Sequence, residues 1–162
     1  MPAMFEGNRV LAKTRILQAA AKELSLPVTI SEQYPKGLGH TVADLASNEA
    51  QVFEKLAFSC WRDQGLRMHL TALHEAGRPQ VVVVGIEAHV CVLQTAVDLA
   101  QAGFATYVVA DAVASRKAQS AELAFTRMNA VGVQVINTEM AVFELMGKAG
   151  TPAFKALSQL IR

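Results

Sequence analysis

The sequence has few cysteines, little net charge and no long apolar run, and each shortage excludes a class of protein. Two cysteines, Cys60 and Cys91, cannot build the disulfide framework of a small secreted domain. We therefore expect free thiols, a reducing compartment and a cytoplasmic protein. Apolar runs such as residues 81–84 are too short to cross a bilayer, so no membrane partner is expected. The formal net charge is +1 and the longest basic run is Arg116-Lys117, so no nucleic-acid partner is expected.

The apolar content is high enough for one globular domain. Of the 162 residues, 52% are apolar and 18% are charged, which excludes a disordered chain and suits a single sizeable core. No internal repeat, low-complexity segment or Pro/Gly/Ser-rich linker divides the chain. Residues 1–162 are therefore predicted to form a single domain.

Helical and strand patterns alternate along the chain. Apolar residues recur at helical spacing over residues 8–24, with Asn8 as the predicted N-cap. Four valines at 81–84 show no alternation, which predicts burial on both faces of a parallel sheet. The alternation predicts an α/β fold whose parallel sheet lies between two layers of helices. Strands are predicted at residues 27–30, 52–58, 80–85, 104–110 and 133–137, and further helices at 66–76, 90–102, 117–130, 139–146 and 152–161.

The segment after the valine strand holds a candidate nucleophile. In an open parallel sheet, ligands gather beyond the carboxyl ends of the strands, and Cys91 falls there, in the first turn of the next helix. Unpaired N–H groups and a partial positive charge at a helix start favour the thiolate. From position alone, Cys91 fits equally well a small buried hydrophobe that packs the helix on the sheet.

Residues 85–92, Gly-Ile-Glu-Ala-His-Val-Cys-Val, resemble the nucleophile segment of the isochorismatase-like cysteine hydrolases. Three further segments match the same family in the same order, at residues 32–39, 55–59 and 108–112. The nearest branch is that of the isochorismatase-domain-containing proteins of unknown substrate. One such motif would be weak, whereas four in order over nearly the whole chain are specific.

The resemblance implies a site built from Asp, Lys and Cys, with Cys91 as nucleophile and Lys55 as the cation. It implies that Lys55 stabilises the thiolate and orients the acid, while the Asp accepts the thiol proton. We therefore expect Lys55 and the helix start to depress the pKa of Cys91. The family's cis peptide corresponds to Ile86–Glu87, and it implies that the backbone amides of Glu87 and Cys91 form an oxyanion hole.

The resemblance also implies a three-layer α/β/α fold with the Rossmann-like strand order 3-2-1-4-5-6. The family's Asp ends its first, central strand, but residues 1–7 of this chain resemble the family's segment after that strand. The first strand and the acid are therefore expected to be missing from this chain. Either the given start is internal to a longer natural protein, or the chain is a degenerate relative. We favour the first, because an empty central position leaves two rows of backbone groups unpaired.

Several other residues are candidates for catalytic or substrate-binding roles. Lys36 is the alternative to Lys55 as the cation of the site, since it lies in a loop near the same end of the sheet. It also fits a solvated loop charge. Tyr34, Lys36 and His89 are candidate substrate-binding residues. The side chain of Glu87 is a candidate substitute acid, although the resemblance implies a role for its backbone.

Two further polar residues are interpreted as structural. Asp111 ends a predicted strand and is expected to cap the turn before Ser115. Cys60, beside Trp61, has no partner implied by the sequence.

No metal or other cofactor is expected. The four histidines lack the Asp-x-His spacing, with a further His, by which nicotinamidases of this superfamily hold a metal; they are His40, His69, His74 and His89. Both usual glycine-rich phosphate loops are missing, which counts against a nucleotide-binding Rossmann domain.

The resemblance implies a cysteine-nucleophile hydrolase that acts on a small amide-like or related substrate through a thioester-type intermediate. The alternative is a catalytically silent, oligomeric binding or scaffold protein that keeps the fold. A homo-oligomer, either a dimer or a tetramer, is expected. Pocket walls in such a protein come from loops such as residues 32–40 and often from a neighbouring subunit, so the sequence does not name the substrate.

Overall fold

The computed structural model describes residues 4–161, in which helices and strands alternate as predicted. A π-helical turn, Ala88–Val92, precedes the fourth helix. No helix in the described range is long and apolar enough to span a membrane. The elements are α1 Gly7–Glu23, β1 Thr29–Gln33, α2 Pro35–Leu38, β2 Gln51–Lys55, α3 Gln64–Glu75, β3 Gln80–Ile86, α4 Leu93–Gln101, β4 Ala105–Ala114, α5 Ala118–Ala130, β5 Gln134–Ile136, α6 Thr138–Met146 and α7 Pro152–Leu157.

The strands pair in parallel and form two hydrogen-bonded sheets. One sheet has the order β1-β2 and the other the order β3-β4-β5. These neighbours agree with the predicted order if β1 and β2 are the family's second and third strands and β3 to β5 its fourth to sixth. Within residues 4–161, no strand is hydrogen-bonded between β1 and β3. That the family's first strand is missing from this chain remains a prediction.

Helices cover both faces of the three-stranded sheet. Val108 and Val109 are neighbours on β4 and both are fully buried, but they point to opposite faces. Val108 belongs to a core cluster that includes Met128 of α5, whereas Val109 packs with Ala141 of α6 and Leu17 of α1. The predicted α/β class, with helices on both sides of a parallel sheet, is therefore confirmed.

The valines of β3 are less buried than their sequence predicts. Val81, Val83 and Val84 are half-buried, and Val82 is 40% exposed. Within the described chain β3 pairs with β4 alone, and the register of this pairing shifts between Val83 and Gly85. A strand with an open edge leaves uncovered the side chains that a second neighbouring strand would cover. The expectation of full burial is therefore wrong for these residues.

Element boundaries differ from the prediction at several places. The strand predicted over residues 27–30 is Thr29–Gln33, and the helix predicted over residues 152–161 ends at Leu157. Helix α1 begins after Glu6, which has a left-handed backbone and no side-chain cap bond, so Asn8 is not the N-cap. The strand predicted over residues 52–58 ends at Lys55. The strand predicted over residues 104–110 continues to residue 114, because its last residues resume pairing with β3 after the register shift.

Asp111 lies inside β4 and contacts the start of α6. Its Oδ1 accepts hydrogen bonds from the backbone N–H of Thr138 at 2.8 Å and from the Thr138 hydroxyl at 2.9 Å. The expectation that it caps the turn before Ser115 is therefore wrong. Its structural role is instead to satisfy a backbone donor that helix α6 cannot satisfy itself.

Replacing Asp111 by Ala should lower the free energy of unfolding by about 1–3 kcal/mol, because Thr138 is fully buried and would lose its acceptor. Urea unfolding followed by circular dichroism measures this loss. The matched control is Asp44→Ala, which removes an ion pair with Arg15 that is exposed on both sides. It should change stability by less than about 0.5 kcal/mol. Equal losses in the two variants would contradict the assigned role of Asp111.

Candidate active site

Three strand ends meet at one edge of the molecule. Gln33 ends β1, Lys55 ends β2, and Cys91 lies in the π-helical turn after β3. Gln33 and Lys55 are direct partners in the parallel register, so their side chains leave the sheet on the same face. Lys55 Nζ donates to Gln33 Oε1 at 2.5 Å, and Cys91 Sγ lies 3.9 Å from the same oxygen. The predicted cation and the predicted nucleophile therefore share one acceptor.

Lys55 is a buried cation with its donors occupied. Its exposure is 4%, and besides Gln33 it donates to the carbonyl oxygens of Ala57 at 3.1 Å and Phe58 at 2.9 Å. Three oxygens match the three N–H groups of an ammonium. In the described range no carboxylate lies within ion-pair distance of Lys55. Since a buried charge is costly without a counter-ion, this position favours a negative group.

The pKa of Cys91 is raised, contrary to the sequence-based expectation. Burial of the half-buried thiol is the largest cause and raises the pKa, whereas the charge of Lys55 lowers it. Cys60 and Glu87 raise it further. Withdrawal from water therefore outweighs the attraction of one lysine. The neutral thiol predominates near neutral pH, and a base must remove its proton before the sulfur can attack.

The turn between β3 and α4 has the cis peptide that the resemblance implied, between Ile86 and Glu87. The Glu87 carboxylate accepts from Arg116, from Nε at 2.9 Å and from the backbone N–H at 3.3 Å. Glu87 is therefore engaged in an ion pair, which disfavours it as a substitute acid.

His89 Nδ1 lies 2.9 Å from Ser115 Oγ. The side chains of Glu87 and His89 therefore both contact the segment after β4. The oxyanion role of the Glu87 and Cys91 amides remains a prediction.

The candidate substrate-binding residues lie in different surroundings. Tyr34 comes directly after Gln33 and is 50% exposed. Lys36 is exposed in α2, whereas His89 is half-buried in the turn that holds Cys91. The geometry brings Lys55 rather than Lys36 to Cys91, which supports the first assignment. The substrate contacts themselves remain predictions.

The buried carboxylate of Glu32 holds the two ends of the loop after β1 together through hydrogen bonds. Glu32, which is 8% exposed, accepts from the backbone N–H of Thr41 at 2.7 Å and pairs with His40 Nδ1 at 2.7 Å. The hydrogen bonds from Thr41 and His40 lower the pKa of Glu32 to about 2, and Glu32 raises the pKa of His40. Glu32 is therefore a structural anion that closes this loop.

Sequence reasoning gave no role to Gln33, although the residue lies at the centre of the site. The sequence pattern predicted the strand over residues 27–30 and a loop over residues 32–40, so it did not show Gln33 as the end of a strand. Its pairing with Lys55 depends on strand register, which the sequence does not display. Cys60 also lies nearer than expected. Its sulfur is 3.3 Å from Ser31 Oγ, on the same face of β1 as Gln33.

The fold and this edge define an α/β protein with parallel strands and a cysteine–lysine site at their carboxyl ends. The isochorismatase domain model matches residues 1–140 of the sequence. The chain therefore belongs to the isochorismatase family.

Similar proteins agree with this assignment. The secreted isochorismatase effector Isc1 of Phytophthora sojae is 37% identical over 163 aligned positions, which cover 98% of this chain and 77% of that protein. Isochorismatase domain-containing protein 2 of Xenopus laevis is 36% identical over 158 positions, which cover 98% and 75%. The solved structure of the MAR1 ribonuclease of Caenorhabditis elegans superposes with a TM-score of 0.89 at 37% identity and covers 99% of this chain and 82% of that one. The predicted family is confirmed, whereas the cytoplasmic compartment remains a prediction.

Alkylation of Cys91 by iodoacetamide should be slow near neutral pH and should rise about tenfold per pH unit below its raised pKa, because the thiolate is the reactive form. Lys55→Met removes the charge that lowers this pKa, so the rate at a fixed pH should fall further. Lys36→Met is the matched control and should leave the rate unchanged. Peptide mapping by mass spectrometry gives each rate. Equal rates in the Lys55 variant and the parent would show that this charge does not act on the sulfur.

Proposed function

We propose that this protein is a cysteine-nucleophile hydrolase of the isochorismatase-like kind, acting on a small amide-like or related substrate. The observation that carries the proposal is the oxygen of Gln33, which both Lys55 Nζ and Cys91 Sγ contact. A buried ammonium beside a half-buried thiol stabilises the thiolate once the proton has left. The family match supports the reaction class.

In this mechanism, the Cys91 sulfur attacks the substrate carbonyl carbon and forms a carbon–sulfur bond. The backbone N–H groups of Glu87 and Cys91 stabilise the oxyanion that develops on the carbonyl oxygen. The carbon–nitrogen bond then breaks, and the leaving amine takes the proton that came from the thiol. Water hydrolyses the resulting thioester and restores the thiol.

The mechanism needs a base that the described residues do not place beside Cys91. Glu87 is paired with Arg116 and Glu32 with His40. We assign the role to an aspartate at the end of a strand between β1 and β3, as the family resemblance implies. Its carboxylate would be the negative partner that Lys55 lacks within residues 4–161.

The course of the chain into α1 supports a strand in this position. The backbone N–H of Phe5 donates to the carbonyl of Ser115 at 3.1 Å, so the chain enters α1 at the carboxyl end of β4. Helix α1 then leads back to β1. A strand that ran parallel to its neighbours and led into α1 would end at this same edge, which is the arrangement of a strand–helix–strand unit.

A catalytically silent, oligomeric binding or scaffold protein is the second candidate. The raised pKa of Cys91 favours it, because this thiol needs a base before it can react. Large apolar side chains near the site favour a homo-oligomer in either case, since Leu38 is 73%, Leu56 74% and Phe58 54% exposed. One similar protein is called a ribonuclease, but a net charge of +1 does not favour RNA as substrate.

Fusing a segment of the pattern apolar-apolar-Asp-x-Gln ahead of the chain should raise the melting temperature, because it would pair the open edges of β1 and β3. It should also raise the rate of amide hydrolysis. Replacing the aspartate of that segment by asparagine should keep the stability and reduce turnover by at least about a hundredfold. A scrambled segment of equal composition is the control. A 162-residue chain that is monomeric, highly stable and fully active by itself would refute the added strand and the role of its aspartate.

In whichever form of the protein hydrolyses amides, with or without the added segment, Cys91→Ala should abolish release of ammonia from small amides, because the nucleophile is gone. Cys60→Ala is the matched control and should retain activity. Mass spectrometry of a quenched reaction should find the acyl group on Cys91. Cleavage of single-stranded RNA without any amide hydrolysis would instead overturn the assigned reaction.

A further inference from the structure

The side chain of Gln33 links three parts of the site. Its Nε2 donates to the carbonyl of Leu56 at 2.7 Å. Its Oε1 accepts from Lys55 Nζ at 2.5 Å and lies 3.9 Å from Cys91 Sγ. One amide therefore spans the end of β2 and the turn after β3, in addition to its own strand β1.

Chemistry allows this amide one orientation. A carbonyl oxygen accepts hydrogen bonds and an ammonium donates them, so the amide nitrogen must face Leu56 and the amide oxygen must face Lys55. A flipped amide would set two donors against each other on one side and two acceptors on the other. The same oxygen consequently faces the Cys91 sulfur.

The contact has opposite effects on the two groups that share the oxygen. For Lys55, Gln33 is the third acceptor beside the carbonyls of Ala57 and Phe58. For Cys91, an acceptor oxygen stabilises the S–H form and repels the thiolate. Gln33 thus satisfies one donor of the neighbouring cation and also opposes early ionisation of the sulfur.

We propose that Gln33 is a positioning residue of this site, whose amide oxygen keeps the Cys91 sulfur as a thiol until a base removes its proton, while it serves as the third acceptor of the Lys55 ammonium. The inference rests on the proposed function, because it concerns the ionisation of the proposed nucleophile. It extends that function by assigning control of the ionisation to a residue that does not itself react.

Other charged or titratable groups that act on the sulfur come from three neighbouring segments. The groups are Lys55 at the end of β2, Cys60 in the turn before α3, and Glu87 in the turn after β3. Arg116 neutralises Glu87 through their ion pair. Cys60 and Glu87 make no hydrogen bond to Gln33, whereas Lys55 does, so a substitution at position 33 acts on the sulfur both directly and through Lys55.

Two substitutions at position 33 should change the alkylation rate of Cys91 in opposite directions. Gln33→Ala removes the oxygen that favours the thiol, while two carbonyl oxygens still hold Lys55, so iodoacetamide should react faster. Gln33→Glu sets a carboxylate against the sulfur and neutralises Lys55, so the reaction should be slower. A change of one in the pKa of Cys91 alters the rate at pH 7.5 about tenfold. Peptide mapping across a pH series measures both rates on the folded protein.

The matched controls are Gln134→Ala and Gln134→Glu, at an exposed strand position of β5, and both should leave the rate unchanged. Gln33→Met, which keeps the side-chain volume without an acceptor, should act like Gln33→Ala and replaces it if the alanine variant does not fold. A residue needed only for packing would shift the rate in the same direction in every variant. That result, or no shift, overturns the inference.

The outcomes also separate this inference from the proposed function. Opposite shifts without amide hydrolysis in any form of the protein would refute the hydrolase and leave the role of Gln33 intact. Hydrolysis that requires Cys91, together with shifts of one sign or none, would refute the role of Gln33 and leave the hydrolase intact.

Discussion

The site depends on one buried ammonium and the three oxygens that accept its hydrogen bonds. Lys55 is nearly inaccessible to water, so its donors must be satisfied by Gln33, Ala57 and Phe58. Two of these are backbone carbonyls, and the chain has to leave the strand directly after Lys55 to present them. The end of β2 at Lys55 therefore leaves these two carbonyls free to accept from its ammonium. All three oxygens are neutral, so the position retains a full positive charge that favours an anion.

The exclusion of water has opposite effects on the two partners. It strengthens the attraction between Lys55 and any negative group, because charges interact more strongly at low dielectric. It also disfavours the thiolate of Cys91, and this second effect is the larger one. The arrangement therefore suits a nucleophile that ionises when a base is present. The reactivity of Cys91 therefore depends on the presence of that base.

Within residues 4–161, β1 and β3 each pair with one strand only, and Gln33 at the end of β1 lies near Cys91, which follows β3. Val82 and Ile86 of β3 are 40% and 38% exposed, as expected for a strand with one neighbour in the described range. In our proposal, one added strand pairs both edges and carries the carboxylate that Lys55 and Cys91 require. Stability and catalysis would then depend on the same segment of chain.

Sequence patterns were enough to predict the alternation of helices and strands and the position of Cys91 after β3. The family resemblance added the choice of Lys55 and the cis peptide before Glu87. These features depend on local patterns of residues or on motifs of a few residues. The direction of the Cys91 pKa shift, the contacts of Gln33 and the exposure of the β3 valines could be learned only from the tertiary structure. Each depends on segments distant in sequence, such as Gln33 and Cys91, which are 58 residues apart. Burial and strand register bring such segments together, and no local pattern encodes either.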